Sequence, residues 1–356
     1  MHTTKTLHRA LTATVSLGAG VAGVAAVGAA FRSDMRAARA RLAGQSRLVA
    51  TASGPVEMAE AGDGPPVLVV HGAAGGFDMG LRIGKDALGD DFRVLAPSRF
   101  GYLRTPIPAN ASHATQADAF ASLLDALDIP SAAVLAVSAG AQPATQLALR
   151  HPERVQALVL ITPALYLPPE PGALDSGPPA FVFDYLLASD FLAWTSVRLA
   201  PNFVVRVAGV PRSLDSQVTP EFRQQLVDWF LPARARHVGL GHDMRTTTPI
   251  APDLPIEQLR MPVMLISAAD DPYKTAAVVR YSAVRLPTAK VVIFDSGGHV
   301  LLGQNDLVRQ EVRGFLSAVV RDAEQEPDMT SGTPPAAPAA GKAGANGSDG
   351  GGRKTH

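Results

Sequence analysis

Val134-Leu-Ala-Val-Ser138-Ala-Gly-Ala141 sets a short apolar run against a serine flanked by small residues. Helix-forming residues, Gln142 to Arg150, follow at once. A strand that reverses sharply into a helix lifts one hydroxyl above the sheet edge, at the mouth of the helix N-terminus. So tight a turn requires almost no side chain two residues before and two residues after the serine. Those positions hold Ala136 and Gly140, where glycine is more usual at the first. Alone, a serine among small residues is more often an ordinary turn or helix start. The rest of the chain therefore decides.

Three other apolar runs end in chemistry-bearing loops. Val67-Leu-Val-Val-His71-Gly-Ala-Ala-Gly-Gly76 ends in glycines, Val263-Met-Leu-Ile-Ser267-Ala-Ala-Asp270-Asp271 ends in acid, and Val291-Val-Ile-Phe-Asp295-Ser-Gly-Gly-His299 ends in a histidine preceded by two glycines. Ser138 is a poor nucleophile at its free pKa and needs a base at hydrogen-bond distance. His299 is the candidate, since Gly297-Gly298 leaves room to present the ring. An acid must hold the imidazole in one tautomer, and Asp270 and Asp271 both stand available. A tetrahedral intermediate needs preorganised N–H donors. The backbone N–H of Ala139 at the helix start is one candidate, and Ala73, after His71-Gly72, is the other. Helices alternate with these apolar strands, which indicates an α/β fold: a doubly wound, mostly parallel sheet covered on both faces. Reacting groups in such sheets collect at the carboxyl ends of strands, where all four loops fall.

The chain order Ser…Asp…His is that of the α/β-hydrolases, and from about residue 56 to 323 the chain resembles that family. Ala96-Pro-Ser-Arg-Phe-Gly-Tyr-Leu-Arg104 looks like the family's D-x-R-G-x-G-x-S loop, with proline and serine where an acid is more usual. His151-Pro-Glu-Arg-Val155 is similar to its H-P-E-R-V step, and Gly297-Gly-His299 to its G-H loop. The resemblance favours Asp271 as the acid, because family loops of the type G-x-x-D-P place it just before proline, here Pro272. Asp270 is then left to cap the loop or face water. His71 looks like the family's loop-shaping histidine.

The implied activity is cofactor-independent hydrolysis of an ester or related acyl substrate through an acyl-enzyme. C–C bond hydrolysis or cofactor-free haloperoxidation on the same three residues, or a non-catalytic ligand-binding protein, are the alternatives. A serine at the elbow excludes the aspartate-nucleophile chemistries of haloalkane dehalogenases and epoxide hydrolases. No metal constellation is expected, because His237 and His242 lack an H-E-x-x-H context, and the glycine-rich stretch 71–76 lacks the Lys-Ser/Thr of a phosphate loop.

The 356 residues are 47% hydrophobic, contain no cysteine and carry no net charge. That neutrality hides an asymmetry. Residues 1–47 hold Lys5, Arg9, Arg32, Arg36, Arg39, Arg41 and Arg47 against Asp34 alone, so the remainder is acidic. An acidic body without a basic stripe argues against nucleic acid as a partner. Ala10 to Phe31 is uncharged and long enough to cross a bilayer as a helix. It reads as a membrane anchor, with a cleaved secretory signal or a soluble leader as alternatives. The arginines that follow favour retention on the cytoplasmic side, where anionic lipid would attract them.

The expected organisation is an apolar helix and basic linker over 1–47, a hydrolase-like domain over 48–323, and a disordered tail over 324–356. A Pro/Gly-rich connector (167–179) and amphipathic stretches at 181–199 and 221–231 interrupt the strand–helix alternation between 163 and 250. They read as a helical lid, whose tryptophans, Trp194 and Trp229, suggest an apolar pocket for a small acyl substrate.

Overall fold

Val67 and Val69 face one way, Leu68 and Val70 the other, and all four are fully buried. A strand that is apolar on both faces belongs inside a sheet covered on both sides. The computed structural model describes residues 2–168, 187–247 and 251–325, with the backbone alone for 2–21 and 322–325. Its sheet has eight strands: β1 (Arg47–Thr51), β2 (Gly54–Ala61), β3 (Pro66–Val70), β4 (Arg93–Pro97), β5 (Ala132–Val137), β6 (Val155–Ile161), β7 (Val263–Ala268) and β8 (Lys290–Phe294). Their order is β1-β2-β4-β3-β5-β6-β7-β8. Strand β2 runs antiparallel to both neighbours, and every other pairing is parallel.

After α1 (His2–Leu42), the helices α2 (Phe77–Leu88), α3 (His113–Ala126) and α4 (Ala141–Arg150) cover the sheet, together with two helices nearer the C-terminus. The alternation of side chains along each strand sorts the core into two layers. Leu68, Val70, Val134, Leu158, Leu160 and Leu265 pack with Phe120, Leu123, Leu124 and Leu147 on one face. Val67, Val69, Leu135, Val159, Met264 and Ile266 pack with Leu88, Val312 and Leu316 on the other. Each such side chain contributes about 1.5–3 kcal/mol on burial.

Strand β1 begins where the expected basic linker ends, at Arg47, and carries no sequence signal of its own. Helix α1 stops at Leu42, and Gly44 adopts φ 72°, the left-handed conformation that ends helices. Only Val49 of β1 is buried, too little alternation to mark a strand.

The insertion between β6 and β7 is a helical lid. Its helices are α5 (Asp190–Leu199), α6 (Pro201–Val207), α7 (Pro220–Phe230) and α8 (His237–Thr246); the chain then completes the sheet layers with α9 (Thr275–Arg285) and α10 (Asn305–Gln325). Ser189 and Thr219 cap α5 and α7 by accepting from Leu192 N and Phe222 N, and Pro220 occupies the first turn of α7, where no N–H is needed. The connector expected at 167–179 falls largely within 169–186, outside the described residues, as does the tail from 326 onward.

The lid has its own core of Trp194, Val197, Val204, Val205, Leu226 and Phe230, with Trp229 packed against it. The tryptophans thus build the lid itself. Met35 and Ala38 of α1 are buried in that same cluster, and Phe31 meets Phe191 and Trp194 edge-on at 5.3 and 5.6 Å.

The docked α1 corrects the expectation for the N-terminal segment. Two of the arginines expected to serve a basic linker facing anionic lipid pair instead with lid acids. Arg39 reaches Asp190 at 3.1 Å and Arg41 reaches Asp228 at 3.2 Å. Arg41 also donates to Leu231 O at 2.9 Å, and Asp34 accepts from Trp194 Nε1 at 2.7 Å. Among the described residues no helix is long and apolar enough to cross a membrane, so the expected transmembrane anchor over 10–31 is not supported. Phe31, Asp34, Met35, Ala38, Arg39 and Arg41 all engage the lid.

Candidate active site

At the end of β5 the backbone of Ser138 turns to φ 52°, a conformation that costs a non-glycine residue about 1–3 kcal/mol and persists only where its surroundings enforce it. A 3-10 turn over Ser138–Gly140 then leads into α4. A Cβ on Gly140 would lie 2.6 Å from His71 O and 2.7 Å from Val70 O, so only glycine fits there. At Ala136 the methyl is fully buried and packs within the core, which accommodates an alanine where glycine is more usual.

His299 Nε2 lies 2.8 Å from Ser138 Oγ, and His299 Nδ1 lies 2.8 Å from Asp271 Oδ2. With Asp271 ionised, Nδ1 carries the proton and donates, leaving Nε2 to accept from the serine hydroxyl. Asp271 also accepts from Tyr273 N at 2.9 Å and from Thr275 Oγ1. Burial alone would raise its pKa, but the His299 hydrogen bond and charge, with Thr275 and Tyr273, outweigh burial and hold it below the usual carboxylate value.

Gly297 and Gly298 adopt φ 145° and 60°, which bends the loop so that His299 faces Ser138. Asp270 caps this loop, accepting from Gly298 N at 2.8 Å. The adjacent acids therefore do different work: Asp271 contacts the ring, and Asp270 holds the backbone that presents it. Tyr273 carries no sequence signal, yet its ring packs edge-on against His299 at 4.9 Å and its hydroxyl donates to Val207 O in the lid. Gly209, at φ 72°, accepts from His299 N at 2.9 Å, so the lid touches the histidine loop directly.

The loop after β3 passes beside the elbow. A Cβ on Gly72 would stand 3.2 Å from Ser138 Cβ. His71 is fully buried; its Nε2 accepts from Arg99 N at 3.0 Å, so its Nδ1–H donates to Gly72 O at 2.7 Å. Burial, then the Arg99 charge, push its pKa well below the usual histidine value, so the ring is a neutral brace. Among the described residues nothing accepts from the N–H of Ala73. The N–H of Ala139 opens the first turn of a helix, where intrahelical partners are lacking.

In the 96–104 loop the acid that the sequence lacks is supplied from β2. Buried Glu57 accepts from Ser98 Oγ at 3.1 Å and from Arg104 N at 2.9 Å. Glu57 stands some forty residues upstream, so no local motif could reveal it.

A family model described as the alpha/beta hydrolase fold matches residues 65–306. The chain is 30% identical to a 2-hydroxymuconate semialdehyde hydrolase from Pseudomonas sp. (strain CF600) over 203 residues, covering 52% of this chain and 69% of that protein. Among solved structures it is similar to an alpha/beta hydrolase fold protein from Nakamurella multipartita, with 27% identity, a TM-score of 0.62, and coverage of 77% of this chain and 99% of that one. Carboxylesterase CesB (YbfK) from Bacillus subtilis shares the fold at 21% identity and a TM-score of 0.58, with coverage of 82% and 99%.

Proposed function

Because the chain belongs to the alpha/beta hydrolase fold family, we propose that it is a cofactor-independent serine hydrolase that cleaves an ester or related acyl substrate through an acyl-enzyme. The reading rests on one observation: His299 bridges Ser138 Oγ and Asp271 Oδ2 with 2.8 Å on each side. In this mechanism His299 takes the hydroxyl proton as Ser138 attacks the acyl carbon. The imidazolium that forms is stabilised by the ionised carboxylate of Asp271. The oxyanion receives the N–H groups of Ala139 and Ala73, each donor contributing roughly 3 kcal/mol to the transition state. His299 then returns its proton to the leaving group and activates water to release the acyl chain. The proposed substrate is a small molecule with an apolar acyl group.

A second reading, C–C bond hydrolysis on the same residues, is favoured by the 30% identity to a 2-hydroxymuconate semialdehyde hydrolase. A fluorophosphonate probe tests the first step: the wild type labels and Ser138→Ala does not. A folded wild type that resists labelling would instead favour a ligand-binding role. Turnover of p-nitrophenyl esters of increasing chain length, set against turnover of 2-hydroxymuconate semialdehyde, separates the two enzymatic readings.

A further inference from the structure

Two buried arginines converge on the carbonyls of the loop after β3, and both are governed by the lid. Arg99 donates from Nη2 to Gly72 O at 3.0 Å, and its fork is held by Asp243 of α8, with Nη1 at 2.7 Å from Oδ1 and Nη2 at 2.5 Å from Oδ2. Arg236, just before α8, donates from Nη1 to Gly75 O at 2.6 Å and from Nη2 to Asp78 Oδ2 at 2.7 Å. Tyr102 links the loop to the same lid carboxylate. Its hydroxyl donates to Asp243 Oδ2 at 2.6 Å and accepts from Ala74 N at 3.3 Å. The side chains of Arg99 and Asp243 are each 4% exposed, and that of Arg236 is 2% exposed.

The Gly72 carbonyl and the Ala73 N–H belong to one planar trans peptide and point in opposite directions. Fixing Gly72 O between His71 Nδ1 and Arg99 Nη2 therefore fixes the direction of the Ala73 N–H. A guanidinium on the carbonyl oxygen also polarises that peptide and strengthens the donor at its other edge. The loop needs such restraint, because it contains Gly72, Gly75 and Gly76 and holds Ala74 at φ 58°. Fold stability alone does not call for this arrangement, since a buried ion pair seldom outperforms apolar packing of the same volume.

We propose that Asp243 and Arg236 are positioning residues for the oxyanion loop, so that the hole is complete only when the lid is seated. Asp243 acts through Arg99, and Arg236 acts on Gly75 directly. The inference rests on the serine-hydrolase reading of the site.

Asp243→Asn and Arg236→Lys test it, with p-nitrophenyl butyrate as substrate and an alkyl trifluoromethyl ketone as the transition-state mimic. For each variant kcat should fall about tenfold to a hundredfold with KM nearly unchanged, and ketone affinity should fall by the same factor. Arg236→Lys should show the smaller loss, since a lysine still reaches one carbonyl. A purely structural role would lower the melting temperature and leave the kcat-to-KM split and ketone affinity untouched. Folded Asp243→Asn that keeps both within about twofold of wild type overturns the proposal. Should that variant fail to fold, Arg236→Lys decides by the same criterion, because Asp78, its partner, stays partly solvated. A wild type that neither labels with fluorophosphonate nor turns over ester sinks the underlying reading. A labelling wild type with unaltered variants sinks only this one.

Discussion

Asp271→Asn removes one charge beside His299 and replaces an acceptor with a donor. In the wild type Oδ2 accepts from His299 Nδ1 and Thr275 Oγ1, while Oδ1 accepts from Tyr273 N. An amide offers a single oxygen. If that oxygen takes the Oδ2 position, the NH₂ faces the Tyr273 N–H, and a buried donor without a partner costs about 1–3 kcal/mol. If the amide flips, its NH₂ meets His299 Nδ1, while Thr275 can reverse its hydroxyl and accept. The ring then carries its proton on Nε2 and can no longer take one from Ser138. The flipped state satisfies more groups, so it should dominate. Loss of the correct tautomer in a serine protease lowers kcat by about four orders of magnitude, equivalent to about 5.5 kcal/mol at 1.36 kcal/mol per decade. Asp270→Asn keeps an oxygen for Gly298 N and should lose no more than about fivefold. Rates of p-nitrophenyl butyrate hydrolysis and fluorophosphonate labelling, with circular dichroism to establish folding, give the comparison. If Asp271→Asn retains more than a tenth of wild-type kcat, or Asp270→Asn is the worse variant, the assignment of the two acids is wrong.

Gly209→Ala should be far more damaging than a lid-loop methyl suggests. Its Cβ would lie 2.4 Å from His299 Cβ and 2.9 Å from Tyr273 Cε2 at φ 72°, and displacing the ring by about 1 Å should lower kcat about a hundredfold. Wild-type kinetics in that variant would show that the lid does not register the histidine. Met35→Ala should destabilise the protein by about 2–3 kcal/mol, because Met35 is 2% exposed within the lid core. A urea midpoint shift worth less than about 0.5 kcal/mol would mean that α1 is not docked on the lid in solution. Stability should also fall on acidification. His71 and His113 have folded pKa values depressed from 6.5 by burial, with Arg99 adding to the effect. The unfolded chain therefore binds more protons below that pH, and each group removes about 1.4 kcal/mol per pH unit until its own folded pKa is reached. Asp271 adds a second loss only below its unfolded value of 3.8, as pH falls toward its lowered folded pKa. Urea midpoints from pH 7.5 to 5.0 should give a slope about one proton shallower in His71→Asn; an unchanged slope contradicts the assignment.

Several lid and loop contacts had no counterpart in any sequence pattern. Helices α6 and α8 were not anticipated, because Pro201–Val207 is short and His237–Thr246 contains two glycines, at one of which, Gly239, the chain approaches the body closely. A Cβ on Gly239 would meet the Tyr102 ring at 2.2 Å. Such a glycine reads as a helix breaker locally and as a docking point only once Tyr102 is beside it. Glu57, Asp243, Arg236 and Tyr273 were likewise silent, since a polar residue in isolation says nothing about which distant carbonyl or ring it will meet.

What the chain alone determined is the part written in short-range periodicity. Residues such as Val67 to Val70 alternate between two apolar faces, the small residues around Ser138 specify a turn, and Gly297-Gly298 free a backbone to carry His299. Tertiary structure decided which groups share a hydrogen bond across the gaps: 161 positions from Ser138 to His299, 144 from Arg99 to Asp243, and 151 from Arg39 to Asp190. Backbone propensity and side-chain alternation act within one turn or one strand, so they leave a signature in sequence. Contacts between segments brought together by burying the core obey no spacing at all.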